Sequence, residues 1–145
     1  MSSAFILLAP LRGQADAARA AVVALDEPFA RVPGTHLARV QVLEEHVLVA
    51  ADYDGGLESW LGVAARELEP VLALCASWPG TEDPEQLLRW VRERELEAGF
   101  SVVGAPHATV GEIGAALELR ERLAAFAADT EGLDDAALHE AWRSR

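Results

Sequence analysis

Lysine is absent from this chain of 145 residues, so its basic side chains are twelve arginines and four histidines. That removes Schiff-base chemistry from the outset. Positive charge is scarce as well: 24 Asp and Glu leave a net charge of -12. A field of that sign repels phosphate backbones and anionic membrane surfaces, so neither nucleic acid nor membrane is an expected partner. Codon usage rich in Ala and Arg is sufficient to explain the missing lysine, so the absence bounds the chemistry without naming one. Cys75 is the single cysteine, which excludes an intrachain disulfide framework and fits a reducing compartment. Long apolar runs are missing too. Phe5 to Ala9 is too short to span a bilayer, ends at Pro10 and has no basic residues before it, so it reads as a first strand. A soluble, cytoplasmic protein is the expectation. No Walker loop, dinucleotide fingerprint, nucleophile elbow or zinc-ligand spacing appears, and no metal is expected.

Against these absences stands a hydrophobic content of 51%, enough for a sizeable core and inconsistent with disorder. With no repeat and no linker, residues 1–145 read as a single domain with a C-terminal helical extension over about 109–145. Gln14 to Leu25, rich in Ala, predicts a helix. Asp26 to Thr35 is a loop punctuated by Pro28, Pro33 and Gly34. The strand patterns Thr35–Leu43 and His46–Tyr53, separated by Glu44-Glu45, predict an antiparallel hairpin. Helical spacing of Trp60, Leu61, Ala64, Ala65 and Leu68 predicts a helix from Leu57 to Glu69. Pro70 then kinks it or opens a shorter one. Asp83-Pro84-Glu85-Gln86 is a start signal for a helix reaching about Glu97, and Phe100–Val103 reads as a last strand. Thr109-Val110-Gly111-Glu112 is a capping box opening a helix to about Ala128, and Asp134 to Arg143 predicts a final short one.

This order gives an α+β fold: a ferredoxin-like split β-α-β with a four-stranded antiparallel sheet and extra helices. Helices on one side leave the other sheet face bare, and an apolar bare face is seldom left wet. A second subunit laid face to face, giving a dimeric α/β barrel with a cavity, is the expected remedy. The C-terminal helix used as a cover is the competing one.

The candidate site lies where the Pro/Gly loop runs into the second strand. Alternation places His36, Ala38, Val40 and Val42 on the helix side, and Leu37, Arg39 and Gln41 on the open side. Which set of the next strand joins Arg39, Val47/Val49/Ala51/Tyr53 or His46/Leu48/Ala50/Asp52, depends on register. Arg39 can hold a carboxylate or a phenolate-type oxygen through its rigid fork of donors, or pair with Asp52 or Glu44. His36 is open to three readings: a structural hydrogen bond, general-base catalysis, or ligation of iron or haem. The expected catalytic residues are His36 and Arg39, with Gln41, Tyr53 and Trp60 as substrate-binding groups. His107 reads as a solvated loop residue or an alternative axial ligand, and His46 and His139 as surface groups. Asp54 is expected to cap the helix that follows it, and Cys75 to be a small buried residue. Core or interface packing accounts for Trp60, Trp78, Trp90 and Trp142, with pocket walls as the alternative.

The segments Pro28–Arg39, Asp52-Tyr53-Asp54-Gly55, Cys75 with Trp78-Pro79-Gly80, and Thr109–Ile113 resemble a group of small bacterial proteins of the dimeric α/β-barrel type. Members of that group accompany haem peroxidase or catalase-like proteins, which implies an accessory or oxidative role. The wider superfamily includes cofactor-independent monooxygenases, polyketide cyclases, and haem-binding peroxidases and dismutases. The resulting expectation is a homodimer binding a hydrophobic small molecule, as a cofactor-independent oxidative or cyclising enzyme. A haem-binding or peroxidase-accessory protein is one alternative. A non-catalytic interaction module is another.

Overall fold

A computed structural model describes residues 2–13, 15–97 and 108–144. The chain is a mixed α+β protein in two compact units, Met1–Val110 and Gly111–Arg145. In the first unit, β1 (Ser2–Pro10), β2 (Thr35–Leu43) and β3 (His46–Asp54) form a three-stranded antiparallel sheet in the order β1-β3-β2. Both outer strands run antiparallel to β3 and hence parallel to each other, with α1 (Ala15–Val23) between them in the chain. The expected fourth strand, Phe100–Val103, lies outside the described residues. Among those described, a short stretch does reach the free edge of β1. Leu7 bridges Glu95, Leu8 N–H donates to Arg94 C=O at 3.1 Å, and Leu96 N–H donates to Ile6 C=O at 2.8 Å.

β1 and β3 bury alternate residues, and β2 alternates half-buried with exposed ones, as the period of a half-covered sheet requires. Phe5, Leu7 and Ala9 of β1 and Val47, Val49, Ala51 and Tyr53 of β3 enter one core. That core is completed by Trp60, Leu61, Ala64 and Ala65 of α2 (Leu57–Glu67), by Val71 and Leu72 of α3 (Glu69–Leu72), and by Leu87, Trp90 and Val91 of α4 (Pro84–Arg92). Pro70 opens α3 rather than kinking α2, because a proline lacking its N–H is tolerated in a first turn. Asp83 caps α4 as the sequence implies, accepting from Glu85 N–H at 3.0 Å and Gln86 N–H at 3.1 Å. The helix stops at Arg92, short of the expected Glu97. Its next residues give their backbone groups to the β1 edge instead. Cys75 is fully buried, and desolvation pushes its thiol up to about 11, against the pull of Arg94 and Arg12.

The second unit holds the remainder of α5 (Val110–Asp129) and α6 (Asp135–Arg143). Asp134 caps α6 by accepting from Ala137 N–H at 2.9 Å, while Phe126 meets Trp142 edge-on at 5.2 Å. No helix among the described residues is long and apolar enough to cross a membrane.

Candidate functional site

The loop-to-strand junction is built around Gly34. Its φ of +77° is a conformation that side chains disfavour, and a Cβ there would stand 3.3 Å from Asp54 Cβ. Glycine therefore lets the two backbones close, and Asp54 N–H donates to Gly34 C=O at 2.8 Å. A bulge follows between Thr35 and Leu37, and it turns His36 toward the end of β3. There His36 Nε2 lies 2.9 Å from Asp54 Oδ1. The other carboxylate oxygen, Oδ2, accepts from Val110 N–H at 2.8 Å. The Val110 amide first, and the imidazole second, hold the Asp54 carboxyl below the usual carboxylate range, against a smaller opposing effect of desolvation.

This corrects the expectation that Asp54 caps the helix after it. The N-cap of α2 is Gly56 and has no side-chain bond. The Asp54 carboxylate is committed instead to partners 18 and 56 residues away.

Thr35 anchors the other side of the junction. Its Oγ1 donates to Val32 C=O and accepts from Trp60 Nε1–H, both at 2.9 Å. Trp60 in turn stacks on Tyr53, with centroids 4.8 Å apart and planes 21° from parallel. Burial raises the Tyr53 phenol above its ordinary value. Tyr53 and Trp60, expected to bind substrate, therefore lie in the core beneath the helices, where alternation along β3 directs Tyr53.

Arg39 and Gln41 point to the opposite side. The register sets Leu37 against Asp52, Arg39 against Ala50, and Gln41 against Leu48. The β3 set that joins Arg39 is thus His46, Leu48, Ala50 and Asp52. β1 adds Ala4, Ile6 and Leu8 to the same face, with Leu8 opposite Leu48. A concavity of about 490 Å³ opens there, lined by Ala4, Phe5, Ile6, Leu37, Ala38, Arg39, Leu48, Ala50, Ala51 and Asp52. Leu37 is 68% exposed at its rim. Arg39 has no hydrogen bond or ion pair among the described residues, so the alternative pairing with Asp52 or Glu44 is not formed. Gln41 is exposed beyond the lining.

The five sequence candidates therefore divide among three places. His36 is held at the junction, Arg39 and Gln41 are on the open face, and Tyr53 and Trp60 are in the core. His36 does not line the concavity that Arg39 lines. Ile6, Leu48 and Ala50, which form the floor, were not singled out by sequence reasoning. Their signal was alternation, but only a known register could assign it to Arg39.

Asp54 occupies the Nε2 side of His36, and His107 lies outside the described residues. Among the described residues no group of three or more His, Cys, Asp or Glu side chains converges as a metal site would require. The open face offers an apolar floor beside the guanidinium of Arg39, which has no partner among the described residues. That combination holds an apolar molecule by its body and an anionic head by charge-assisted hydrogen bonds. Comparison of the chain with family models, with curated proteins and with solved structures finds no match in any of the three.

Proposed function

We propose that this protein binds a small apolar molecule carrying an anionic group, on the open face of its sheet, with a second copy of the chain laid over that face to close it. The observation that carries the reading is Arg39, without a partner among the described residues, beside Ile6, Leu48 and Ala50 in a concavity of about 490 Å³. Small-molecule sites typically span roughly 300–1,000 Å³ and combine apolar walls with few polar groups. The face-to-face cover belongs to a ferredoxin-like, dimeric α/β-barrel reading. The β1-β3-β2 order supports that reading, as does the Leu7–Glu95 bridge at the edge where a fourth strand would fall. Binding, rather than proton transfer by His36, is the activity this arrangement favours, because His36 is turned away to Asp54.

Decanoate and decanol provide the test, titrated by calorimetry into wild type, Arg39→Gln and Leu48→Glu. Hydrogen bonds to charged groups contribute about 1.5–3 kcal/mol. Arg39→Gln is therefore expected to weaken decanoate about 10- to 150-fold and to leave decanol unchanged. Leu48→Glu is expected to abolish both. Wild type that binds neither probe, or Arg39→Gln binding decanoate as wild type does, overturns the proposal.

A further inference from the structure

The outer edge of β2 is unclaimed by any strand among the described residues. Its hydrogen-bonding groups can be assigned from the hairpin. A two-residue loop, Glu44-Glu45, closes on the hydrogen-bonded pair Leu43–His46. Alternate residues Leu43, Gln41, Arg39 and Leu37 therefore send their N–H and C=O groups to β3, and Val42, Val40 and Ala38 send theirs outward. We propose that this edge pairs antiparallel with the β2 edge of a second copy, about a two-fold axis at Val40, joining two sheets into one of six strands. The inference is independent of the small-molecule reading.

Three features select that partner and that register. Centring on Val40 makes Val40–Val40 a hydrogen-bonded pair and gives Ala38–Val42 pairs on either side, so all three outward residues find partners. On the open face the same register sets Leu37 against the second copy's Leu43. These two leucines, 68% and 39% exposed, are equidistant from the axis and cover each other. Charge agrees as well. Centring on Arg39 would oppose two guanidinium groups at close range, whereas centring on Val40 sets Arg39 against the second copy's neutral Gln41. β2 also contains no carboxylate, in a chain whose net charge of -12 makes most approaches between copies repulsive. The Ala38–Val42 stretch of this edge lies clear of the bulge and carries no proline or lysine to oppose strand addition.

Sedimentation velocity over a concentration series tests this with four variants. Val40→Pro removes an outward N–H while leaving the β2–β3 ladder intact, and is expected to abolish edge association. Gln41→Arg opposes like charges twice across the axis, and Gln41→Glu creates two opposite-charge pairs. They are expected to weaken and to tighten association respectively, each by about 2- to 30-fold. Both change an exposed side chain, so they report on register even if the proline variant misfolds by circular dichroism. Leu48→Glu lies on the open face and separates the two kinds of contact. Edge association survives it, whereas a face-to-face contact does not. A monomer at every concentration overturns the proposal, as does equal association of the two Gln41 variants. Loss in Leu48→Glu with none in Val40→Pro also overturns it, and leaves the covered-face reading standing.

Discussion

Replacing Thr35 by valine keeps the β-branch that suits a strand and removes the hydroxyl to which buried Trp60 donates at 2.9 Å. Trp60 is 4% exposed, so its indole N–H has no access to solvent as a substitute. A buried donor left without a partner costs about 1–3 kcal/mol, and Thr35 also loses its bond to Val32 C=O, a further ~1 kcal/mol. The expected loss for Thr35→Val is therefore about 2–4 kcal/mol, a large share of a typical domain stability of roughly 5–15 kcal/mol. Trp60→Phe removes the same N–H and part of the ring that meets Tyr53, Phe5 and Phe29. Once that donor is gone, removing the hydroxyl leaves no indole unsatisfied. Thr35→Val should then be milder in the Trp60→Phe background by about 1–3 kcal/mol. Urea denaturation of the four proteins, followed by far-UV circular dichroism at constant m value, measures this coupling. Additivity within about 0.3 kcal/mol would refute the claim that the indole locks the start of β2.

The buried thiol makes two further expectations. Native Cys75 resists maleimide reagents at neutral pH and reacts only after unfolding, since burial pushes its ionisation up to about 11. A raised thiol favours the protonated form in the fold, so its stabilising effect is present at neutral pH. It is lost as pH rises from about 9, where the unfolded thiol ionises, toward 11. Cys75→Ala should flatten that alkaline decline, and an identical decline in the variant counts against the assignment. Asp54 behaves in the opposite sense. Its carboxyl sits below the ordinary range, so its contribution is complete above the unfolded value of roughly 3.9 and falls away as pH drops through the folded one. Asp54→Asn should lower stability at neutral pH and shallow the acid limb of a stability–pH curve. An unchanged limb would mean that Val110 and His36 do not hold the charge.

Much of the secondary structure was legible because its causes are local. Asp83-Pro84 opens α4 and Asp134 caps α6, since a cap bonds amides two or three residues ahead. Alternation along Thr35–Leu43 and His46–Asp54 placed Arg39 and Gln41 opposite the helices, as period-two geometry demands. The same reasoning overran the end of α4. Helical propensity beyond Arg92 yields to the unpaired backbone of β1, which Arg94 and Leu96 satisfy.

The candidate site itself was the least legible part. That His36 and Arg39 lie three apart suggested one site, yet the bulge between Thr35 and Leu37 sends His36 to Asp54 and leaves Arg39 over Ala50. A bulge has no dependable mark in residue identity, because it records how a strand meets its partner. Tyr53 and Trp60 were expected to bind substrate, with core packing as the other reading of Trp60, and only the packing of Trp60 against Phe5, Phe29 and Tyr53 assigns both to the core. By itself, the sequence determined what acts within a few residues: caps, turns, strand alternation, and the shortage of positive charge. The tertiary structure alone decided the register, the committed carboxylate of Asp54 and the placing of Arg39 over Ala50. Those outcomes depend on which distant groups exclude water from one another, and no short stretch of chain contains that information.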